Sequence, residues 1–346
     1  MTNYKIYSYQ ISFLLIGSLV LPSCESSEER RDRFFNLGNL ALQDGNYDQA
    51  VQLYDQSLKE DPSFVEALNN RGVAKIESDH PYEAILDYNH AIQKVPDYLD
   101  ALFNRAYAYE EIGQYRNSLE DVNTIQNLVE DSAFVFFYKG LVLTKMRSYS
   151  EALKNFEIAD SLNPLNPETI INKATIYYFQ ESYDSATLLI NKSLELSPSD
   201  PTAFSLKSLI ELEKGNYEMA LAEINRALDE VPGEAYFLNN RGFIYLQMGD
   251  LEVALEDINR SIVLNPRNGW AYRNKGIYQL MKGNYTQALN HFERAKNTGE
   301  FIDELYYYIG VASSKNGNIQ EACKAWEKGV DNNEKKSAQS LAQNCD

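Results

Sequence analysis

The chain contains few of the residues that usually build catalytic or metal-binding sites. Its 346 residues include only three cysteines and three histidines. His80, His90 and His291 lie far apart in sequence, and none belongs to a His-Glu-x-x-His motif. The sequence also lacks a pair of cysteines at zinc-ligand spacing and a glycine-rich phosphate loop. We therefore expect a protein without enzymatic activity, metal ion or cofactor.

Positive charge is also scarce. Lysine and arginine together number 32 against 50 aspartates and glutamates, which gives a formal net charge of -18. A surface of this sign repels the phosphates of nucleic acids and the headgroups of anionic lipids. Nucleic acid is therefore excluded as a partner, and the charge favours either solubility alone or a cationic partner.

The longest hydrophobic run lies near the N-terminus. The stretch from Ile11 to Leu21 is too short to span a bilayer, but its length is typical of the apolar part of a secretory signal peptide. It ends in Leu21-Pro22-Ser23-Cys24, which resembles the lipobox of bacterial lipoproteins. The resemblance implies a signal peptide at 1–23 and acyl chains on Cys24 that anchor the protein to a membrane.

Residues 24–30 are polar and acidic, as expected of a solvated tether. The segment Glu25-Ser26-Ser27-Glu28-Glu29 also resembles the acidic signal that follows the lipidated cysteine in surface-directed lipoproteins of Bacteroidota. The expected location is therefore the bacterial outer membrane, with the protein facing either the medium or the periplasm. The alternative is an ordinary signal peptide or an uncleaved anchor, in which the cysteine at the boundary is incidental.

Beyond this segment the sequence repeats with a period of 34 residues, and no insertion or deletion interrupts it from Arg31 to Lys336. A first row of small residues consists of Gly38, Gly72, Ala106, Gly140, Ala174, Ser208, Gly242, Gly276 and Gly310. A second row consists of Ala50, Ala84, Ser118, Ala152, Ala186, Ala220, Ala254, Ala288 and Ala322. A fixed period of this length indicates supersecondary units that bury their apolar faces only by stacking on their neighbours.

Each unit is predicted to be a helical hairpin. When its residues are numbered 1 to 34, apolar and small residues occupy positions 4, 7 or 8, and 11, followed by 20, 24 and 27. This spacing predicts two amphipathic helices. Several units have Gly-Asn-Tyr or Gly-Gln-Tyr at positions 15 to 17, where glycine can end a helix in the left-handed region. Proline at position 32 of six units stops the second helix.

This pattern resembles the tetratricopeptide repeat. Aromatic residues recur at position 24, namely Tyr54, Tyr88, Phe156, Phe292 and Trp326. The resemblance implies an all-α fold, a right-handed superhelical solenoid. Its nine repeats span 31–64, 65–98, 99–132, 133–166, 167–200, 201–234, 235–268, 269–302 and 303–336. Repeat 3 departs from the pattern with Ile125 at position 27 and Glu130 at position 32, which predicts a looser junction there.

The cysteines are consistent with an exported protein. If Cys24 carries lipid, Cys323 and Cys345 remain as an even pair. The segment 334–345 can fold back on the second helix of repeat 9 as a capping helix, whose end is 337–346. Both cysteines then lie at similar distances from the turn, so a disulfide between them is geometrically reasonable. Two unpaired thiols are the alternative.

The resemblance places the first helix of each repeat on the concave side of the superhelix, which implies a binding groove there. Position 6 of this groove carries asparagine in six repeats, namely Asn36, Asn70, Asn104, Asn172, Asn240 and Asn274. Amide side chains can pair with successive peptide groups of an extended chain without reading its side chains. The same asparagines can instead serve packing or solvation.

Aromatic side chains are also expected in the groove. The candidates are Phe103, Tyr107, Phe134, Phe137, Tyr138, Tyr178, Phe243 and Trp270. Aromatic residues in a concavity are common binding anchors, although some of these are expected to pack between adjacent repeats. Repeats 4 and 5 are the richest, so we expect an apolar centre there with polar stretches on either side. Lys145, Arg273 and Lys315 are too isolated to form a clamp for a C-terminal carboxylate.

The sequence therefore predicts a non-catalytic scaffold, anchored by lipid in a bacterial envelope, that binds another protein or an extended peptide in its concave groove. A glycan-binding surface lipoprotein of a nutrient uptake system is the first alternative, because aromatic faces also stack on sugar rings. A structural envelope assembly factor that uses its convex face is the second alternative.

Overall fold

The computed structural model describes residues 25–299 and 301–345, and in these ranges the chain is all-helical and forms no strand. The helices are α1 (Ser27–Gln43), α2 (Tyr47–Glu60), α3 (Val65–Glu77), α4 (Pro81–Lys94), α5 (Leu99–Glu111), α6 (Tyr115–Leu128), α7 (Ala133–Lys145), α8 (Tyr149–Leu162), α9 (Pro167–Phe179), α10 (Tyr183–Leu196), α11 (Pro201–Glu213), α12 (Tyr217–Glu230), α13 (Ala235–Met248), α14 (Leu251–Leu264), α15 (Gly269–Met281), α16 (Tyr285–Lys296), α17 (Leu305–Lys315), α18 (Ile319–Asp331) and α19 (Lys335–Asn344). The expected helical solenoid is confirmed. The predicted signal peptide and Cys24 lie outside the described residues.

Consecutive helices pack as hairpins, and each hairpin stacks on the next. The first helices of neighbouring repeats also touch, as α1 and α3 or α13 and α15 do, whereas neighbouring second helices make little contact. Elements on the inside of a curve lie closer together than those on the outside, so the first helices line the concave face. None of the helices in the described ranges has the length and apolarity needed to cross a membrane.

Positions 8 and 24 set how closely the two helices of a hairpin cross. In repeats 2 and 4 the ring at position 24 lies directly over the glycine at position 8. A Cβ added to Gly72 would lie 2.5 Å from Cε1 of Tyr88, and one added to Gly140 would lie 2.6 Å from Cε1 of Phe156. Both rings are almost completely buried. Glycine is therefore required here by close packing, since any larger residue would displace the ring.

The residue at position 24 is aliphatic wherever position 8 carries a side chain. Ala106 is followed sixteen residues later by Val122, and Ala174 by Ile190. Val122 and Ile190 are fully buried, so the smaller partner leaves room for the methyl group. The two positions therefore fill one shared volume in each hairpin.

We expect Gly72→Ala to lower the free energy of unfolding by about 1–3 kcal/mol, the usual cost of overpacking a core. The Tyr88 ring has no space to retreat from the added methyl group. Urea unfolding would measure the change. The double variant Gly72→Ala with Tyr88→Ile should lose less stability than the sum of the two single variants. Additive losses would contradict the shared-volume explanation.

Ion pairs at position 7 join neighbouring repeats, although the sequence pattern places this position among the apolar and small ones. Arg71 donates to both carboxylate oxygens of Asp87 in its own hairpin, at 2.9 and 2.5 Å. It also donates to Asp55 of the preceding repeat, at 2.5 Å. Arg105 and Arg241 make equivalent contacts in repeats 3 and 7. Asp87 is buried, and the contacts with Arg71 compensate its charge within the array.

The first helix begins earlier than the repeat register indicates. The backbone N–H of Glu29 donates to Oγ of Ser26 at 3.1 Å, and the backbone N–H of Ser26 donates to the Glu29 carboxylate at 2.7 Å. This reciprocal pair is a capping box, which favours helix initiation at the following residue. The tether predicted at 24–30 is therefore shorter, because residues from Ser27 onward are helical.

The junction after repeat 3 is not the loosest one in the array. Ile125 is fully buried and fills the space that a smaller residue would leave. Packing is sparser between α8 and α9, and between α10 and α11, than between α6 and α7. Packing between α6 and α7 is nevertheless sparser than between α2 and α3 or between α4 and α5, and α5 and α7 touch less than any other neighbouring first helices of the described repeats. The looser junction predicted at repeat 3 is therefore present on its concave side.

The C-terminal helix α19 packs on α18 and caps the end of the array. Cys323 and Cys345 form a disulfide with their Cα atoms 5.8 Å apart. Glu334 lies buried in the turn and accepts hydrogen bonds from the backbone N–H groups of Tyr306 and Tyr307, at 3.2 and 2.8 Å. These N–H groups begin α17, so the carboxylate satisfies helix donors that would otherwise be unpaired.

We expect Cys323→Ser to destabilise the C-terminal end by about 3 kcal/mol, the chain-entropy value for closing a loop of this length. The two cysteines are separated by 22 residues. Hydrogen exchange should become faster in α19 and at the Tyr306 and Tyr307 amides, while α1 to α4 stay unchanged. Treating the unmodified protein with a reductant should give the same pattern. Equal exchange in α19 before and after reduction would contradict this role.

Candidate functional site

Four aromatic side chains of α5 and α7 form a surface on the concave side of repeats 3 and 4. Phe103 lies 5.6 Å from Phe134 and 6.2 Å from Tyr138 between ring centroids, and the planes of Phe134 and Tyr138 are parallel to within 1°. Tyr107 lies one turn further along α5. Phe134 is 60% exposed and Tyr107 is 49% exposed. We call these four residues the aromatic platform.

Two polar groups lie behind the aromatic platform. Burial raises the pKa of the Glu110 carboxyl, and burial together with this carboxylate raises the pKa of the Tyr138 hydroxyl. The two side chains approach each other, but Oε1 of Glu110 and the Tyr138 hydroxyl lack a well-formed hydrogen bond among the described residues. The platform therefore combines exposed rings with polar atoms whose pairing is incomplete.

The remaining predicted groove aromatics serve mainly in packing. Phe137 lies 5.7 Å from the buried ring of Phe156 and belongs to the core of its hairpin. Phe243 and Trp270 each lie 4.8 Å from the guanidinium of Arg273, which is only 5% exposed. The expected apolar centre in repeats 4 and 5 therefore extends into repeat 3 through the platform, while in repeat 5 Phe179 is exposed and stacks on Tyr149.

The asparagine row makes hydrogen bonds between repeats. In four repeats the position 6 amide donates to a side chain of the preceding repeat: Asn70 to Asn39 at 2.9 Å, Asn104 to Asn69 at 2.9 Å, Asn240 to Ser205 at 3.2 Å and Asn274 to Asn239 at 2.8 Å. The acceptors lie at positions 5 and 9, which also face the groove, but none of them is among the individual binding residues predicted from the sequence. Their signal in the sequence is an adjacent polar pair, as in Asn69-Asn70 and Asn239-Asn240.

The prediction that Asn274 contacts a partner is wrong, because its side chain is fully buried. Its carbonyl oxygen also accepts two hydrogen bonds from the neighbouring Arg273. Asn172 donates to the backbone carbonyl of Glu168 in its own helix, at 2.9 Å. Asn36 is exposed, and Asn70, Asn104 and Asn240 keep part of their amide surface accessible. The row therefore aligns the repeats, and only its accessible members stay predicted binding residues.

Charged side chains from the two halves of the array approach each other across the concave side. Burial raises the pKa of the Tyr178 hydroxyl, and Glu213 and Asp303 raise it further. Burial also raises the pKa of Glu213, with Glu304 adding to the effect and Lys336 opposing it. The charges of Asp303 and Glu304 before α17 and of Lys336 on α19 therefore act on side chains of α9 and α11.

In the described part of the chain, no three or more side chains of His, Cys, Asp and Glu come together in a group that could hold a metal ion. His291 occupies position 23, where repeats 2, 3 and 7 have the aspartate that pairs with arginine. Burial lowers its pKa to about 4, and the cations Lys275 and Arg294 contribute. Its buried Nδ1 has no hydrogen-bond partner among the described residues.

We expect His291 to make stability depend on pH. Its pKa in the folded state is about 4, below the ordinary value of 6.5, so the unfolded chain binds the proton more readily between these values. The free energy of unfolding should therefore fall as pH decreases from about 6.5 towards about 4. Urea unfolding at several pH values should show a weaker fall in His291→Gln. His90→Gln, at an exposed position, should behave like the unmodified protein.

Comparison with known proteins agrees with the observed fold. A family model described as tetratricopeptide repeat matches residues 35–75 and 171–235, and a second model of this repeat matches residues 235–268. The chain therefore contains tetratricopeptide repeats. A search of curated protein sequences finds no significant match.

Two solved structures, yeast Tom70 and the Cut9–Hcn1 hetero-tetramer, show the same architecture at low sequence identity. Yeast Tom70 has a TM-score of 0.59 and 16% identity over 86% of this chain and 66% of the Tom70 chain. The Cut9–Hcn1 hetero-tetramer of APC/C has a TM-score of 0.56 and 12% identity over 95% of this chain and 79% of the matched chain. A tetratricopeptide repeat protein from Parabacteroides merdae has a TM-score of 0.47 and 18% identity over 82% of this chain and 99% of its own. Likeness at these identities concerns the fold alone.

Proposed function

We propose that this protein is a non-catalytic scaffold, lipid-anchored through Cys24 in a bacterial envelope, that holds an extended polypeptide segment against its concave face. The observation that supports this most directly is the aromatic platform. Solenoids of tetratricopeptide repeats generally serve as interaction scaffolds, and the platform is a cluster of rings on the concave face of which Phe134 and Tyr107 stay exposed. Exposed aromatic rings in a concavity contribute strongly to binding once a partner covers them.

The charge around the platform defines the preferred partner. Glu110 and Glu111 adjoin the platform on α5, and the whole chain has a net charge of -18. Burial raises the pKa of the Glu110 carboxyl because it disfavours the charged form. A positive group of a partner would stabilise that charged form. An extended segment with apolar and basic side chains therefore fits this surface better than an acidic one.

We expect a photo-crosslinking amino acid at position 134 to trap the partner in intact cells, and the same amino acid at position 82 to trap none. Phe134 belongs to the platform, whereas Tyr82 is a similarly exposed aromatic residue on the second helix α4. Mass spectrometry of the products would identify the partner. Phe134→Ser should weaken binding by about 2 kcal/mol, the size of a typical hot-spot loss, and Tyr82→Ser should leave it unchanged.

Products at position 82 alone would contradict the concave-face proposal and would favour the assembly factor that uses its convex face. Exposed apolar side chains on second helices, such as Leu188 at 70% and Val263 at 77%, give that alternative a specific surface.

A glycan-binding function is the other candidate, because the exposed ring of Phe134, parallel to the ring of Tyr138, offers a flat face to a sugar ring. Binding on a glycan array that disappears in Phe134→Ser, with no protein product at position 134, would favour it.

A further inference from the structure

Side chains at the hairpin turns of repeats 2, 4 and 5 contact residues of repeats 7 to 9. Asp79 pairs with Arg267, which lies 188 residues away. Arg147 places its guanidinium 4.0 Å from the ring centroid of Phe301 and donates to the backbone carbonyl of Asn332 at 3.3 Å, across 185 residues. Contacts in a solenoid are normally restricted to neighbouring repeats, so these contacts need an explanation.

The third contact joins Glu181 to Lys335 across 154 residues. Glu111 of repeat 3 adds to the first contact, at 3.6 Å from Arg267. The turns of repeats 2, 4 and 5 therefore meet the far end of the array along one edge. We call these contacts the clasp, and its residues are Asp79, Arg147, Glu181, Arg267, Phe301, Asn332 and Lys335.

Position 15 of every repeat is in the left-handed region of the backbone. Six repeats have glycine there, with φ between 71° at Gly113 and 89° at Gly249. The other three have Asp79, Arg147 and Glu181, with φ of 67°, 60° and 57°. A residue other than glycine in this region costs about 1–2 kcal/mol.

The three repeats that lack the turn glycine are the three whose turn side chain belongs to the clasp. Glycine at these turns would relieve the backbone but would supply no side chain to reach the other end. Strained positions of this kind persist where the side chain has a function. The two observations are independent, since one concerns the backbone of the turn and the other concerns the contact across the array.

We propose that the array closes on itself, with repeats 2, 4 and 5 held against repeats 7 to 9 by the clasp, and that the clasp controls access to the concave face. The second part rests on the proposed function of the aromatic platform. The charges of Asp303 and Lys336 act on the pKa of Tyr178 and of Glu213 respectively, which agrees with this closure. A closed array covers part of its concave face, so a partner segment enters when the edge opens.

The clasp is suited to opening because its ion pairs are exposed. Lys335 and Glu181 have side-chain exposures of 73% and 55%, and Arg267 and Asp79 have 52% and 73%. Exposed pairs contribute little individually and are screened by salt. Closure therefore depends on several weak contacts acting together, and the loss of two of them should release the third.

Zero-length crosslinking with a carbodiimide tests the closure, because it joins a carboxylate and an amine only when they touch. The free protein should give an amide between Glu181 and Lys335, identified by mass spectrometry. In the double variant Asp79→Gly with Arg147→Gly both crosslinked residues are intact, yet the yield should fall severalfold. Small-angle X-ray scattering should show a larger radius of gyration for this variant, and high salt should have the same effect on the unmodified protein.

A matched control removes the same kind of backbone strain without touching the clasp. Asp131 and Leu165 are also left-handed, with φ of 57° and 62°, and lie between repeats. Asp131→Gly with Leu165→Gly should keep the crosslink and the radius of gyration. Both double variants should melt no lower than the unmodified protein, so a lost crosslink reports opening rather than unfolding. A missing Glu181–Lys335 product in the unmodified protein, or an equal yield in both variants, would overturn the closure.

Access is tested with the photo-crosslinking amino acid at position 134. Opening by Asp79→Gly with Arg147→Gly should increase the yield of trapped partner, and the Asp131→Gly with Leu165→Gly control should not. An unchanged yield would overturn the control of access while leaving the closure intact. If no variant traps a partner, the proposed function fails together with the control of access, whereas the carbodiimide product decides the closure on its own.

Discussion

The close crossing of two helices at positions 8 and 24 is the constraint on which the rest of the structure depends. A ring over a bare glycine, as Tyr88 lies over Gly72, brings the helix axes together and fixes the shape of the hairpin. Because adjacent hairpins reuse this shape, the same surfaces meet at each junction, and a regular superhelix results. The concave face, its aromatic platform and the edges that meet at the clasp all follow from the repetition of this crossing.

Polar contacts determine the alignment of one hairpin on the next. Apolar packing is tolerant of small sliding movements, whereas a bidentate pair such as Arg71 with Asp87 has one favourable geometry. The same arginine reaches the preceding repeat, and the position 6 amides do so on the concave side. The junctions before repeats 2, 3 and 7 are therefore held by directional bonds on two sides, which explains why buried charges occur in the interior of this array.

The hairpins and the capping helix were predictable because local spacing determines them. The period, the turn residues and the proline positions indicate where helices begin and end, because helix boundaries depend on neighbours in sequence. The candidate site was less predictable. Asn274 faces the preceding repeat rather than a partner because Asn239 of that repeat supplies a hydrogen-bond acceptor. Trp270 was expected in the groove, but Arg273 folds over it. Such contacts depend on which side chains meet in three dimensions, and the repeat pattern alone does not predict them.

The contacts across the array were the least predictable feature, since they depend on the accumulated rotation of all intervening repeats. A small change in each junction angle would separate Asp79 from Arg267 by many ångströms. The sequence itself shows Asp79, Arg147 and Glu181 at position 15 of repeats 2, 4 and 5, where the other six repeats have glycine. The sequence does not show that the superhelix brings these three side chains against repeats 7 to 9.

The contacts of Glu334 near the C-terminus affect how the array unfolds. In an open solenoid, the last repeat loses structure first and independently, because it has one neighbour. Here the turn that contains Glu334 caps the first turn of α17, and Lys335 beside it reaches repeat 5. Fraying of the C-terminus would therefore release contacts in the middle of the chain as well. Unfolding should then be more cooperative than in a linear array, with the two halves losing structure in a single transition rather than repeat by repeat.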